Sequence, residues 1–231
     1  MKAILRLFFH LLYHQFAFAY DLVAATVSLG RWKDWVMSAL PFIEGRRVLE
    51  IGHGPGHLQR LLLDRDLVAV GIDESRQMGF LARRNTDGSA LLARGLAQRL
   101  PFPDSTFDTL VATFPAEYIF DPVTLTEAHR VLRENGRFVI LPGAILTGRG
   151  AWERFMAWTF RITGQTPPDL SEIIHERSKE PFAKAGFQVE THELELRSSV
   201  VFVMAAVKSP GRSATEAKRA PSALDAEARK G

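Results

Sequence analysis

Three glycines stand at every second position in VLEIGHGPGHL, residues 48–58: Gly52, Gly54 and Gly56. Glycine is used where backbone must turn tightly or approach a ligand closely. The loop follows an apolar run that contains one acid, Glu50, and a second apolar run leads into another, Asp73. A glycine-rich turn between a strand and a helix commonly holds a dinucleotide through G-x-G-x-x-G, with the pyrophosphate over the helix N-terminus. Counted from Gly52, that pattern needs glycine at 57, where this chain has His57. The pattern here is E-x-G-x-G-x-G, from Glu50 to Gly56. Asp73 lies where a ribose diol would arrive; a carboxylate there accepts both hydroxyls and repels a 2′-phosphate.

Other reactive residues say less. His53 and His57 flank the loop, and their expected roles are loop packing and a helix start rather than metal binding. His10 and His14 lie one helical turn apart but lack a third ligand at suitable spacing, so no metal site is expected. There is no cysteine, which removes disulfides, thiol catalysis and cysteine metal sites. His129, in mid-helix, is expected to be structural.

The loop has to be positioned by strands and helices in alternation. Residues 46–51, 67–72, 90–94, 109–113 and 138–141 are short apolar runs suited to strands buried on both faces. Between them, residues 57–64, 75–84 and 124–133 have helical patterning. This alternation predicts an α/β fold, a Rossmann-like doubly wound, mostly parallel sheet of seven strands. Residues 187–193 and 199–207 supply the last two strands, an antiparallel C-terminal hairpin at the sheet edge. A helix over 181–185, ended by Gly186, precedes them. RWKDWVMSALPFI, from Arg31, is an amphipathic helix ended near Pro41. Residues 143–178 form a helical insertion before the last strands, expected as a lid at the carboxyl edge of the sheet.

The predicted organisation is an N-terminal helical segment over 1–40, a domain over 41–207 and a disordered tail over 208–231. The pI of about 9.4 invites a nucleic-acid partner. However, residues 208–231 hold the whole net charge of +3, so the folded part is neutral and no basic face is evident. The tail has too few large apolar groups to order itself. MKAILRLFFHLLYHQFAFAY places Lys2, Arg6, His10 and His14 on one helical stripe. It is too short and interrupted to span a membrane. Arg6 and the histidines also interrupt the apolar region of a cleaved leader. The helix either lies in a membrane interface or covers the domain as a lid, and the two are compatible.

LEIGHGPG, GIDESRQMGFLARR, LAQRLPFPDSTFDTLV and EAHRVLRENGRF, in this order, resemble the successive motifs of the class I S-adenosylmethionine-dependent methyltransferases, over residues 45–141. The resemblance implies S-adenosylmethionine as cofactor. Glu50, Gly52, His53, Gly54 and Gly56 would face its methionine end, and Asp73 its ribose. Glu74 and Met78 would border ribose and adenine. Ala97, through its backbone amide, and Gln98 would sit along the adenine edge. Phe114 would end the fourth strand beside the reacting methyl group. Many relatives carry Asp before the alanine of the third motif; this chain has Leu96, and Gln98 is the candidate substitute. FAFAYDLVAATVSLGRWKDW resembles the opening of the ubiquinone/menaquinone-biosynthesis C-methyltransferases at Tyr20, Asp21, Ser28, Gly30 and Trp32 or Trp35. Its usual Asn and His are missing, and RVLRENG replaces RVLKPGG. Bacterial phospholipid N-methyltransferases open similarly.

Methyl transfer requires a nucleophile in line behind the methyl group at about 3 Å, with water excluded. TFPAEYI is not the Asn/Asp-Pro-Pro-Tyr/Phe signature of enzymes that methylate bases and glutamine. Glu117 and Tyr118 are the polar candidates near an acceptor: Glu117 as base, as holder of a cationic amine, or as a helix-start carboxylate. Tyr20 either closes the pocket or packs in the core. The expected acceptor is a small, rather apolar molecule, lipid- or quinone-like. The expected location is the cytoplasm, at the inner face of the membrane, with contact through the N-terminal helix.

Overall fold

The computed structural model describes residues 31–147 and 180–209. Helix α1 spans Trp32–Met37, followed by a 3-10 turn at Leu40–Phe42. Strand β1 is Arg47–Ile51, helix α2 His57–Leu63, strand β2 Val68–Asp73, helix α3 Arg76–Asn85 and strand β3 Leu91–Arg94. Strand β4 is Phe107–Thr113, a 3-10 turn covers Glu117–Phe120, helix α4 is Pro122–Val131 and strand β5 Leu132–Leu146. A helical turn at 180–184 leads to β6, Phe187–Leu196, and β7, Ser199–Lys208.

The seven strands form one sheet in the order β3-β2-β1-β4-β5-β7-β6. The pairings from β3 to β5 are parallel, whereas β7 runs antiparallel to both β5 and β6. The chain therefore winds outward from β1 in one direction and from β4 in the other. That reversal opens a crevice at the carboxyl ends of the central strands.

Alternation along each strand sends neighbouring side chains to opposite faces. Leu49, Phe138, Ile140, Phe202 and Met204 face one way and pack with Leu125 and Val131 of α4 and with Phe182. Val48, Val139, Leu141, Val201 and Val203 face the other and pack with Trp35 and Val36 of α1 and with Leu58 and Leu62 of α2. Phe138 and Phe182 have no exposed surface. Truncating such a ring to Ala costs about 3–5 kcal/mol.

Several boundaries differ from expectation, and four of the differences have a clear physical reason. Residues 32–40, expected in a separate N-terminal segment, belong to the domain: Trp35 is buried and its Nε1–H donates to Ser199 Oγ at 2.8 Å. Helix α4 starts at Pro122 rather than 124, because Asp121 Oδ1 accepts the Val123 N–H and proline suits the first helical position. Strand β5 is far longer than 138–141. Its register against β7 shifts between Ile140 and Gly143, so Pro142, which has no N–H, falls in the break and Gly143–Leu146 continue the ladder. These four residues had been expected in the insertion. Lys208, expected in the tail, ends β7, and its Nζ donates to the Leu132 carbonyl at 2.9 Å. Residues 1–30 with Tyr20, the insertion from 148 to 179 and the tail from 210 onward lie outside the described residues. Among the described residues, no helix is long and apolar enough to cross a membrane.

Candidate active site

The glycine loop leaves β1 at the crevice, and its three glycines are needed for three different reasons. Gly52 has φ +73°, and a Cβ there would lie 2.5 Å from Tyr118 Oη. Gly56 has φ +87° and caps α2; a Cβ would meet the Cα of Ala82 on α3 at 2.9 Å. The first glycine thus admits a tyrosine and the third admits a helix. Gly54 has φ +51°, and a Cβ there would meet nothing within 4 Å. It borders open space, as a cradle for a ligand would.

Asp73 ends β2 beside the loop and is 3% exposed. Its Oδ2 accepts the Gly54 N–H at 3.0 Å and its Oδ1 accepts the Ser75 N–H at 2.8 Å. These two bonds hold the carboxylate in one orientation. Ser75 in turn caps α3, its Oγ accepting the Met78 N–H at 3.3 Å.

Glu50 sits on β1 between Gly71 and Val111 of its neighbouring strands, with 1% of its surface exposed. Its Oε2 accepts from Gln59 Nε2 at 2.8 Å. Burial pushes the Glu50 carboxyl up to about 8; the Gln59 hydrogen bond opposes this and the charge of Asp73 adds to it. His53 is also buried, and its Nδ1 lies 2.7 Å from the Gly54 carbonyl. A carbonyl only accepts, so Nδ1 carries the proton. Burial lowers its pKa and keeps the ring neutral, against the charge of Asp73. The ring also lies over Gly71, where a Cβ would approach His53 Cδ2 to 3.0 Å, so it packs the loop onto β2.

One cavity meets this loop and a second lies past the end of β2. A narrow one of about 20 Å³ is lined by Glu50, Gly52, His53, Gly54, Thr113 and, from α1, Trp32. An open one of about 660 Å³ is lined by Glu74–Gln77 and Arg94–Leu96. Leu96 is 52% exposed on its rim, and Ala97 behind it is buried. Gln98, the expected substitute for the missing acid, donates from Nε2 to Asp121 Oδ2 at 3.3 Å. That bond ties it to the start of α4. Met78, expected beside the adenine, has no exposed surface at all, because its position on α3 turns it inward. Glu74 is exposed at the open cavity.

At the end of β4, Phe114 adopts φ +51°, a conformation that is an outlier for a bulky residue and is characteristic of sites. Its N–H donates to the Leu141 carbonyl at 2.8 Å. Its ring centroid lies 4.4 Å from that of Trp32 and 5.9 Å from that of Trp35. Glu117 is exposed at the start of its 3-10 turn, and Tyr118 is half-buried with its hydroxyl at Gly52. The structure thus gathers Glu50, the loop, Asp73 and Tyr118 in one place, with Phe114 beside Trp32, which lines the same narrow cavity. Two residues here were not expected in the site. Trp32 was visible only as part of an N-terminal resemblance. Gln59 was visible only as a polar residue at an inward position of α2.

Residues 49–140 match the model of a family described as a methyltransferase domain. This chain carries a methyltransferase domain. Over 169 residues it is 33% identical to a demethylmenaquinone methyltransferase of Symbiobacterium thermophilum, covering 67% of this chain and 64% of that protein. It is 30% identical to a ubiquinone/menaquinone biosynthesis C-methyltransferase of Dinoroseobacter shibae, covering 68% and 66%. The chain thus spans just under two thirds of these curated relatives. The crystal structure of a SAM-dependent methyltransferase from Thermotoga maritima shares the fold, with a TM-score of 0.56 over 87% of this chain and 99% of that one at 20% identity. The cofactor of this class is S-adenosylmethionine. The methyltransferase domain described above fits it on its own geometry: the space beside Gly54 is open, and the buried Asp73 carboxylate is held beside it by two backbone N–H groups.

Proposed function

We propose that this chain transfers a methyl group from S-adenosylmethionine to a small, apolar acceptor of quinone or lipid type. The observation that carries the cofactor half is the pair of buried carboxyl groups at the glycine loop: Asp73 accepts the Gly54 N–H, Glu50 lines the same narrow cavity as Gly54, and Gly54 borders open space. S-adenosylmethionine supplies an electrophilic methyl group on a sulfonium. Asp73 would accept from the two ribose hydroxyls, and Glu50 would meet the cationic methionine end, with Gly52 and His53 shaping the loop around it. Gly56 keeps that loop packed on α3. Ala97 would offer its backbone amide to the adenine, and Glu74 would line the ribose. Met78 and Gln98 would support this wall from behind, one buried and one tied to Asp121.

The acceptor half rests on the Trp32–Phe114 stack at the end of β4 and on the names of the two quinone-pathway relatives. An aromatic wall favours a flat or apolar acceptor and keeps water from the reacting centre. Glu117 and Tyr118 would take a proton from such an acceptor or orient it, with Tyr20, outside the described residues, as a third candidate. The neutral folded part favours a small molecule over nucleic acid. The apolar first twenty residues favour contact with a membrane surface at the cytoplasmic face.

The test has two arms. S-adenosylhomocysteine is titrated calorimetrically into wild type and Asp73→Ala, both checked for fold by circular dichroism. Micromolar binding weakened tenfold or more by the substitution is expected, about 1.4 kcal/mol. A folded wild type that does not bind would remove the cofactor half. Methyl-labelled cofactor is then incubated with membrane extract. Label in the organic phase is expected, and label confined to water-soluble compounds would remove the acceptor half.

A further inference from the structure

Glu50 is nearly inaccessible, and its neighbours differ in what they can do for it. On β2, Asp73 presents a second buried carboxyl group. On the loop, His53 is neutral and engaged with the Gly54 carbonyl. His57 of α2 lines the same narrow cavity, and Tyr118 reaches Gly52 with its hydroxyl. Trp32 of α1 and Thr113 of β4 bring no charge. The carboxyl group accepts a hydrogen bond from Gln59, which has no exposed surface. Its Nε2 also donates to the Val70 carbonyl at 3.3 Å. Its Oε1 is buried with no partner.

An orphan acceptor beside a buried carboxyl group calls for an explanation. An amide is both donor and acceptor, and its two ends exchange by a half-turn. In the orientation described, the amide N–H stabilises ionised Glu50. Turned over, Oε1 would accept the proton of the neutral acid. One residue can therefore serve both states of Glu50.

We infer that Gln59 is a positioning residue that eases ionisation of Glu50, and that occupation of the cofactor site is coupled through this pair to release of one proton to solvent. This rests on the cofactor assignment above. In the empty site a buried carboxylate facing Asp73 lacks a cation, and Glu50 holds its proton. When a cationic ammonium group enters the narrow cavity beside Glu50 and Trp32, the carboxylate gains an opposite charge and gives up the proton. The ammonium keeps its own protons, so the balance is one proton to the buffer per ligand bound.

Two measurements test this. Carbon-13 labelled glutamate, with Glu50→Gln to assign the signal, reports the ionisation of Glu50 in the free protein. S-adenosylhomocysteine binding by calorimetry between pH 6 and 7.5, in two buffers of different ionisation enthalpy, reports the protons released. The expected wild-type result is a Glu50 midpoint far above the ordinary carboxylate range, binding that tightens close to tenfold per pH unit, and nearly one proton released. Gln59→Met keeps the shape and removes the hydrogen bond. It should raise the midpoint by about one pH unit and weaken binding at pH 7 about tenfold. Glu50→Gln should release no proton.

If free wild-type Glu50 is ionised at pH 6, or binding releases no proton, the inference is overturned while the cofactor assignment stands. If Gln59→Met leaves the midpoint unchanged, Gln59 is only packing. Absence of binding at every pH overturns the coupling together with the cofactor assignment. If Gln59→Met fails to fold, Gln59→Leu is read in its place, and the wild-type midpoint still decides whether Glu50 holds its proton in the free protein.

Discussion

The two ends of the cleft are built differently. At the glycine loop three polar groups are buried and oriented: Asp73 by two backbone N–H groups, Glu50 by Gln59, His53 by the Gly54 carbonyl. At the other end the cavity is open, its rim carries the exposed Leu96, and Gln98 is turned to Asp121. Pre-oriented groups bind without an ordering cost, and buried ones respond to charge and proton far more than exposed ones. Affinity and pH sensitivity should therefore reside at the loop end, and the adenine end should have room for improvement.

The sharpest test of that contrast is stability against pH in the cofactor-free protein. Glu50 has its folded pKa raised to about 8, above its unfolded value. The folded state then binds more protons than the unfolded one between about 5 and 8, so stability falls as pH rises through that window. The slope is roughly 1.4 kcal/mol per pH unit for this group. Denaturant unfolding of wild type beside Glu50→Gln should show the variant gaining on wild type steadily across the window. Parallel curves would mean that the loop end is no more charge-sensitive than the rim.

A steric break should come next. Gly54→Asn tolerates the left-handed backbone and fills the open space beside the loop. It should lower S-adenosylhomocysteine affinity about a hundredfold, near 2.7 kcal/mol, with little change in melting temperature. Unchanged affinity would place the ligand elsewhere. Trp32→Ala opens the narrow cavity and removes the ring on Phe114. It should lower turnover with an apolar acceptor about tenfold while altering cofactor affinity less. The smallest effect belongs to the open end. Leu96→Asp restores an acceptor for an adenine amino group on an exposed rim, and should tighten binding threefold to tenfold, about 0.5–1.5 kcal/mol. If Leu96→Asp matters more than Gly54→Asn, the comparison is reversed.

Much of this molecule was legible in its residues because the signals are local. Short apolar runs separated by helical patterning gave the sheet class, and most element boundaries fall within two residues of expectation. The errors have identifiable causes. Pro142 looked like a strand terminator, yet it sits in a register break where its missing N–H costs nothing. Asp121-Pro122 is a helix-start pair that was passed over, the helix being expected only from residue 124. Gly52, Gly54, Gly56 and Asp73 were singled out by type and spacing, and the structure brings Asp73 onto the Gly54 N–H of that loop.

The identity of each glycine's neighbour was not in the sequence. That Gly52 faces Tyr118, Gly56 faces Ala82 and Gly54 faces open space depends on which elements the sheet order brings together. The same holds for Gln59 reaching Glu50 across nine residues and for Trp32 stacking on Phe114 across more than eighty. Backbone preference and hydrophobic period act over a few residues, so they specify strand, loop and helix. Burial, charge state and side-chain pairing are properties of contacts between distant segments, and they exist only once the layers have closed on each other.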